Sequence, residues 1–227
     1  MIVFKNVTKI FSGYLKAIDN ISFEIKSGEF VILIGKSGAG KTTVLKLINK
    51  EIDPTKGEIY YKNLKITYLS PGKKRELRRK IVTIFQDFKL LNKKTVYENL
   101  SLPLEISGKS KKEIEREVLK VAERFNLKEK LDQLAETLSG GEKQKVVLAR
   151  GILYNPEVIL ADEPTGNLDP INSLEIIDAL KRLNSEGITI VLATHNREIV
   201  NQLKTRVITL ENGRIIKDEN PGSYTLV

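Results

Sequence analysis

The sequence predicts an α/β fold: a core built on a parallel sheet, with an all-helical block inserted into the middle of the chain. Three observations carry this. Short apolar runs at residues 30–34, 158–160 and 189–193 read as strands buried on both faces, which is how parallel strands look in sequence. Helical stretches alternate with them, and strand–helix–strand order argues an α/β core. Between residues 95 and 138 the signals are almost all helical.

The elements follow in chain order. Residues 2–4, 21–25 and 30–34 read as strands, with Gly28 and Glu29 as the turn between the last two. Residues 35–40 are glycine-rich, and 41–49 have helical spacing. Pro54 and Gly57 end that unit, and a strand is expected over 58–61. Residues 73–80 are a basic helical stretch, followed by a strand at 81–85. Ser110 and Glu113 fit a capping box at the start of a helix over 114–125. A helix is expected from 141 to about 154, another over 172–184, and a hairpin from 206–210 and 214–216 around Asn212-Gly213.

Composition narrows the function. At 227 residues the chain should bury roughly 70% of its unfolded surface, so it needs no disulfide or metal staple. It has no cysteine and one histidine, which excludes disulfides, thiolate catalysis, Cys-ligated metal sites and His-rich ones. A net charge of +9 suits nucleic acid, anionic lipid or a phosphorylated ligand. No stretch approaches the ~20 apolar residues of a membrane span. The start, MIVFKNVTKIF, alternates and carries lysines, unlike a signal peptide. The expectation is a protein kept in the cytoplasm, any membrane role coming through a partner or a surface contact.

The strongest chemical signal is Gly35-Lys36-Ser37-Gly38-Ala39-Gly40-Lys41-Thr42, which fits G-x-x-x-x-G-K-[ST] between a strand and a helix. Its glycines let backbone N–H groups converge on phosphate oxygens, and the helix N-terminus adds partial positive charge. Lys41 is placed to reach the β- and γ-phosphates, and the Thr42 hydroxyl to hold Mg²⁺. The bland reading is a glycine-rich turn, which explains neither the Lys-Thr pair nor the context.

A second apolar strand ends in Asp162, with Glu163 directly after it. Asp162 can bind Mg²⁺ through water, and Glu163 can act on the attacking water; without the phosphate loop the pair would pass for a solvated turn. His195 lies just past the 189–193 strand, at the carboxyl ends where ligands of open α/β sheets gather, and is read as a γ-phosphate contact. Gln86, at the end of the 81–85 strand, is a candidate of the same kind. Leu138-Ser139-Gly140-Gly141-Glu142 precedes a helix. Ser139 and Glu142 form a helix cap, but the paired glycines also make an anion-accepting N-terminus. Such a site suits a nucleotide held by another copy of the chain.

Together these motifs resemble the ATP-binding cassette (ABC) ATPases over essentially the whole length. GKSGAGKTT, through Thr43, is similar to the Walker A motif, and IFQDF with Gln86 to the Q-loop. LSGGE resembles the signature usually written LSGGQ, with Glu142 departing at the last position. VILADE resembles Walker B plus the catalytic glutamate. Gly166-Asn167-Leu168-Asp169 looks like the D-loop, and ATH with His195 like the H-loop. The six occur in the family's order, a far more specific signal than any one alone.

The resemblance implies a P-loop NTPase (RecA-like) core with a mainly parallel sheet, an N-terminal antiparallel β subdomain and an inserted α-helical subdomain. One nucleotide-binding domain then spans 1–227, with core and β subdomain at 1–86 and 141–227 and the insert at about 87–140. It also implies a Mg²⁺-dependent ATPase acting as a head-to-tail homodimer. ATP lies between residues 35–43 of one chain and Ser139, Gly140, Gly141 and Glu142 of the other. Glu163 polarises the water, His195 holds the γ-phosphate, and Thr42, Gln86 and Asp162 serve the metal. Phe11 stacks on adenine, with Tyr14 nearby, and Asp169 makes a dimer contact.

Within the family the chain resembles the short cassettes of cell division, lipoprotein release and macrolide efflux, which share ADEPTGNLD. SGAGKTT, IFQDFKLL, TVYENLSLPL and LSGGE look closest to the cell-division group. That implies a polytopic membrane partner resembling FtsX, contact with other division proteins, and a place on the cytoplasmic side of the membrane. The pair is expected to control peptidoglycan hydrolases rather than pump a solute. Residues 88–104 are where the partner docks, with Phe88 and Leu91 facing it and most of the others in the core of the insert. The ATPase of a lipoprotein or drug exporter is the alternative. Nucleic acid is not expected, since the chain lacks the aromatic-plus-basic platform of a single-strand binder. Residues 73–80 then read as a solvated helix face, or one near anionic lipid.

Overall fold

The structure, a computed structural model, describes residues 1–224, with every side chain among them except that of Tyr14. Its elements are β1 (Ile2–Ile10), β2 (Lys16–Ile25), β3 (Phe30–Ile34), α1 (Lys41–Ile48), β4 (Lys56–Tyr61), β5 (Leu64–Lys65), α2 (Pro71–Lys80) and β6 (Ile81–Ile84). There follow α3 (Val96–Ile106), α4 (Lys111–Arg124), α5 (Gly140–Ile152), β7 (Val158–Asp162), α6 (Pro170–Ser185), β8 (Thr189–Ala193), α7 (Arg197–Leu203), β9 (Arg206–Glu211) and β10 (Arg214–Glu219). The chain forms two compact units. Met1–Thr83, Glu157–Glu163 and the residues from Leu180 onward make the first, and Ile84–Pro156 with Pro164–Ala179 the second.

The first unit holds two sheets. The N-terminal one is antiparallel, ordered β2-β1-β4-β5. The other is ordered β10-β9-β3-β8-β7-β6, with β3 parallel to β8 and β9, and β7 parallel to β8. β3 and β8 are buried along their whole length, as the apolar runs demand. Phe4, Ile25, Ile59, Leu33 and Val191 from the sheets, with Val44, Leu47 and Ile48 from α1, share one core. Phe4 and Phe23 stack in it, with centroids 4.6 Å apart. Each such side chain, fully buried, contributes about 1.5–3 kcal/mol.

The far end of α1 is held by cations, which suit the negative end of a helix. Arg78 of α2 donates to the Asn49 and Lys50 carbonyls at 3.2 and 2.9 Å. The Lys50 amine is buried, donates to the Thr67 carbonyl at 2.6 Å and pairs with Asp53. Burial pushes its pKa down, against the pull of that carboxylate. The β9–β10 hairpin turns at Asn212 and Gly213, both with positive φ, as a two-residue hairpin loop requires. Its tip accepts the Asp19 N–H at 2.9 Å.

In the second unit α3 packs on α4 and on α5. All three helices open with a capping box: Thr95 with Glu98, Ser110 with Glu113, and Ser139 with Glu142. Because α5 buries its apolar face here, the unit runs past residue 140, where the expected insert stops.

Several sequence expectations change, and β2 begins at Lys16 rather than at residue 21. β1 runs to Ile10 rather than stopping at residue 4; the chain shifts register between Phe4 and Val7, where Asn6 has φ 49°, and this breaks the alternation that marks a strand. α7 and β5 have no counterpart among the expected elements. α7 is only seven residues long, although Asn196 caps it by accepting from Glu198 and Ile199 N–H groups at 3.0 and 3.2 Å.

Candidate nucleotide-binding site

Residues 35–40 turn tightly between β3 and α1. A Cβ on Gly35, whose φ is +154°, would lie 2.4 Å from the Leu210 carbonyl oxygen, so only glycine lets β9 pass this close. Lys41, the first residue of α1, is 8% exposed and folds back over the loop. Its Nζ donates to the Gly35 carbonyl at 2.8 Å and to the Lys36 carbonyl at 3.4 Å. The ammonium thus stands over the loop whose amide groups suit phosphate. Thr42 donates its hydroxyl to Asp162 Oδ1 at 3.1 Å, joining two motifs 120 residues apart.

β7 and β8 place the acids. Asp162 closes β7, and Glu163 follows in a left-handed conformation, φ 48°, its N–H bonded to the Ala193 carbonyl at 2.9 Å. A non-glycine residue there is strained, and such strain gathers at functional sites. Glu163 Oε1 lies 2.8 Å from His195 Nδ1, and Oε2 accepts the His195 N–H at 3.4 Å. Burial pushes the Asp162 carboxyl above its usual range, and the charge of Glu163 adds to this, against the Thr42 hydrogen bond. A divalent cation would relieve that crowding. Hydroxyl and carboxylate oxygens are the hard donors Mg²⁺ prefers, and Mg²⁺ commonly takes one or two protein ligands plus substrate phosphates. Among the described residues no group of three or more His, Cys, Asp or Glu could hold a metal by itself.

Phe11 follows β1 and is 37% exposed, with Lys9 Nζ 5.1 Å from its ring centroid. The Tyr14 side chain lies outside the described residues. A cavity of about 290 Å³ is lined by Lys36, Ser37 and Gly38 of the loop and by Leu210 and Asn212 of the β9–β10 hairpin.

The remaining candidates lie in the second unit. Ser139 Oγ accepts the Glu142 N–H at 3.3 Å, and Glu142 Oε2 accepts the Ser139 N–H at 2.8 Å. That second bond holds the Glu142 carboxyl below its usual range, helped by Lys130 at 3.0 Å. The glycine pair also has a packing cause. A Cβ on Gly141 would lie 2.1 Å from Asn172 Oδ1, and one on Gly140 3.2 Å from Leu168. Asp169 caps α6, accepting the Asn172 N–H at 3.0 Å. Gln86 is exposed, and its Nε2 donates to Asn167 Oδ1 at 3.4 Å.

Sequence reading gave no role to Asn167, Asn172, Asn99 or Arg150. Asn99 accepts the Leu91 N–H at 2.9 Å and donates to the Thr95 carbonyl at 2.9 Å; Arg150 donates to the Lys89 carbonyl at 2.8 Å. Together they hold the segment after Gln86, where Phe88 and Lys89 both have positive φ. Within that segment Leu91 is exposed and Phe88 half-buried. Asp169 followed by Pro170 was a legible helix-start signal; the Gln86–Asn167 and Arg150–Lys89 contacts join residues too far apart in sequence to pair by pattern.

Residues 18–166 match the ABC transporter family. The chain is 47% identical over 224 residues to the cell division ATP-binding protein FtsE of Bacillus subtilis, covering 99% of this chain and 98% of the relative. It is 43% identical over 225 residues to FtsE of Mycobacterium tuberculosis, with the same coverage. The methionine import ATP-binding protein MetN of Carboxydothermus hydrogenoformans is 42% identical over 221 residues, but only 66% of its length is covered. Among solved structures, a dimeric post-hydrolysis state of the ATP-binding cassette MJ0796 bound to ADP and Pi superposes with a TM-score of 0.89. It is 35% identical, covering 99% of this chain and all of that one. The chain belongs to the ABC transporter family.

Proposed function

We propose that this chain is the ATP-binding and ATP-hydrolysing subunit of an FtsE–FtsX-type complex, which couples ATP hydrolysis to a membrane partner in cell division and the control of peptidoglycan hydrolysis. The observation that carries this is similarity at 42–47% identity to FtsE proteins from end to end, whereas the import relative extends well beyond the match. These similarities do not favour the exporter-ATPase alternative.

Residues 35–43 and Lys41 bind the phosphates, and Phe11 stacks on the adenine. Thr42 and, through water, Asp162 would hold Mg²⁺, which would neutralise charge on the phosphates; Gln86 is proposed as a further metal contact. Glu163 orients and deprotonates the attacking water. His195, hydrogen-bonded to Glu163, places its ring at the γ-phosphate. Ser139, Gly140, Gly141 and Glu142 of a second copy close the site, and Asp169 lies at that dimer contact. The dimeric cassette structures favour this arrangement. No described helix is long and apolar enough to cross a membrane, so the attachment proposed is peripheral, on the cytoplasmic side, through a polytopic FtsX-like protein. Leu91 and Phe88 are proposed to meet it.

The test uses Glu163→Gln protein as bait with Mg·ATP in detergent-solubilised membranes of the source cell. The expected result is a polytopic protein with an extracytoplasmic domain, together with regulators of cell-wall hydrolases. Recovery of an exporter permease or of lipoprotein-release subunits instead would move the assignment to that group.

A further inference from the structure

α2 carries a charge pattern that the fold does not explain. Six of its ten residues are Lys or Arg and one is acidic. Its anchoring uses Leu77, which is buried, Arg78, which grips the end of α1, and Lys74, which lies 3.5 Å from Asp53. Lys80 lies 3.6 Å from Glu157. Lys73, Arg75 and Arg79 are exposed and, among the described residues, have no ion-pair partner.

Cations in the last turn complement the helix dipole, but Lys73 and Arg75 lie in the first half, where the dipole disfavours them. Arg75 and Arg79 are four residues apart on one face and repel each other. Lys73 and Arg75 therefore gain nothing from the helix dipole, and neither has an ion-pair partner among the described residues. Just before the helix, Tyr68 is 74% exposed, the largest exposure of a large apolar side chain among the described residues.

We propose that the exposed Lys73, Arg75 and Arg79 of α2, with the exposed Tyr68 on the segment leading into the helix, contact anionic phospholipid headgroups. The charges are complementary to such a surface. Long flexible cations suit a fluid layer of phosphates better than a single shaped ligand. Tyr68 favours lipid over nucleic acid: one ring with a polar tip suits the headgroup boundary, whereas strand binding stacks several rings. The inference stands without the membrane partner proposed above, since the contact is the chain's own.

The experiment is cosedimentation of the full chain with vesicles of phosphatidylcholine alone or mixed with phosphatidylglycerol. The wild type should bind only the anionic vesicles. Raising salt from 0.1 M to 1 M, which shortens the screening length from about 10 to about 3 Å, should abolish binding. K73Q/R75Q/R79Q should bind about 100-fold more weakly, since each cation at an anionic surface is worth roughly fivefold. K73R/R75K/R79K should bind like the wild type. ATP affinity, measured on the same samples, should be unchanged in both variants, which separates this test from that of the nucleotide site. The proposal is overturned if the wild type ignores anionic vesicles, if the neutralised variant binds undiminished, if the charge-preserving variant loses binding, or if duplex DNA displaces the vesicles at equal phosphate.

Discussion

Glu163→Gln should bind Mg·ATP as the wild type does and hydrolyse it on the order of 100- to 10,000-fold more slowly, the range expected on removal of a positioned general base. The substitution keeps size and shape. The backbone bond from Glu163 N–H to the Ala193 carbonyl is untouched, and an amide oxygen can still accept from His195. What is lost is the capacity to take a proton from water. Affinity and rate therefore separate: calorimetry reads the first and phosphate release the second. Turnover like the wild type would refute the role proposed for Glu163.

Lys41→Ala acts on the other side of the same reaction. Lys41 is almost wholly buried, yet among the described residues its hydrogen bonds are only to the Gly35 and Lys36 carbonyls and it makes no ion pair. A cation held this way is available to a phosphate. Charge-assisted hydrogen bonds are worth about 1.5–3 kcal/mol, so the truncation should weaken ATP binding about 10- to 100-fold. Thermal stability should fall as well, because the Gly35 carbonyl it leaves is buried. Unchanged affinity by calorimetry would contradict the proposed phosphate contact.

These two residues show how legible the molecule was. Lys41 and Glu163 were both marked by local pattern: a glycine loop between strand and helix, and an acid pair closing an apolar strand. Buried parallel strands such as β3 and β8 were equally plain, since an unbroken apolar run of five residues has few other readings. What sequence could not give was side-chain direction across long separations. Nothing local says that Glu163 meets His195, that Lys41 turns back onto Gly35, or that Asn172 fills the space Gly141 leaves open. The paired glycines carry two readings at once, a helix start suited to anions and close passage of the 167–172 segment. Where alternation failed, as at Asn6 in β1, or where an element was as short as α7, the periodic signal was too weak to mark its extent.

ATP is proposed to join two copies of this chain, residues 35–43 of one facing Ser139, Gly140, Gly141 and Glu142 of the other. Light scattering of the Glu163→Gln protein tests it most directly. Hydrolysis is blocked there, and a nucleotide-bound dimer should persist. The expected result is a monomer without nucleotide, a dimer with Mg·ATP, and a monomer under both conditions once Ser139→Arg sets a bulky cation at the start of α5. A Glu163→Gln protein that binds ATP and stays monomeric, or a dimer that survives Ser139→Arg, would contradict it.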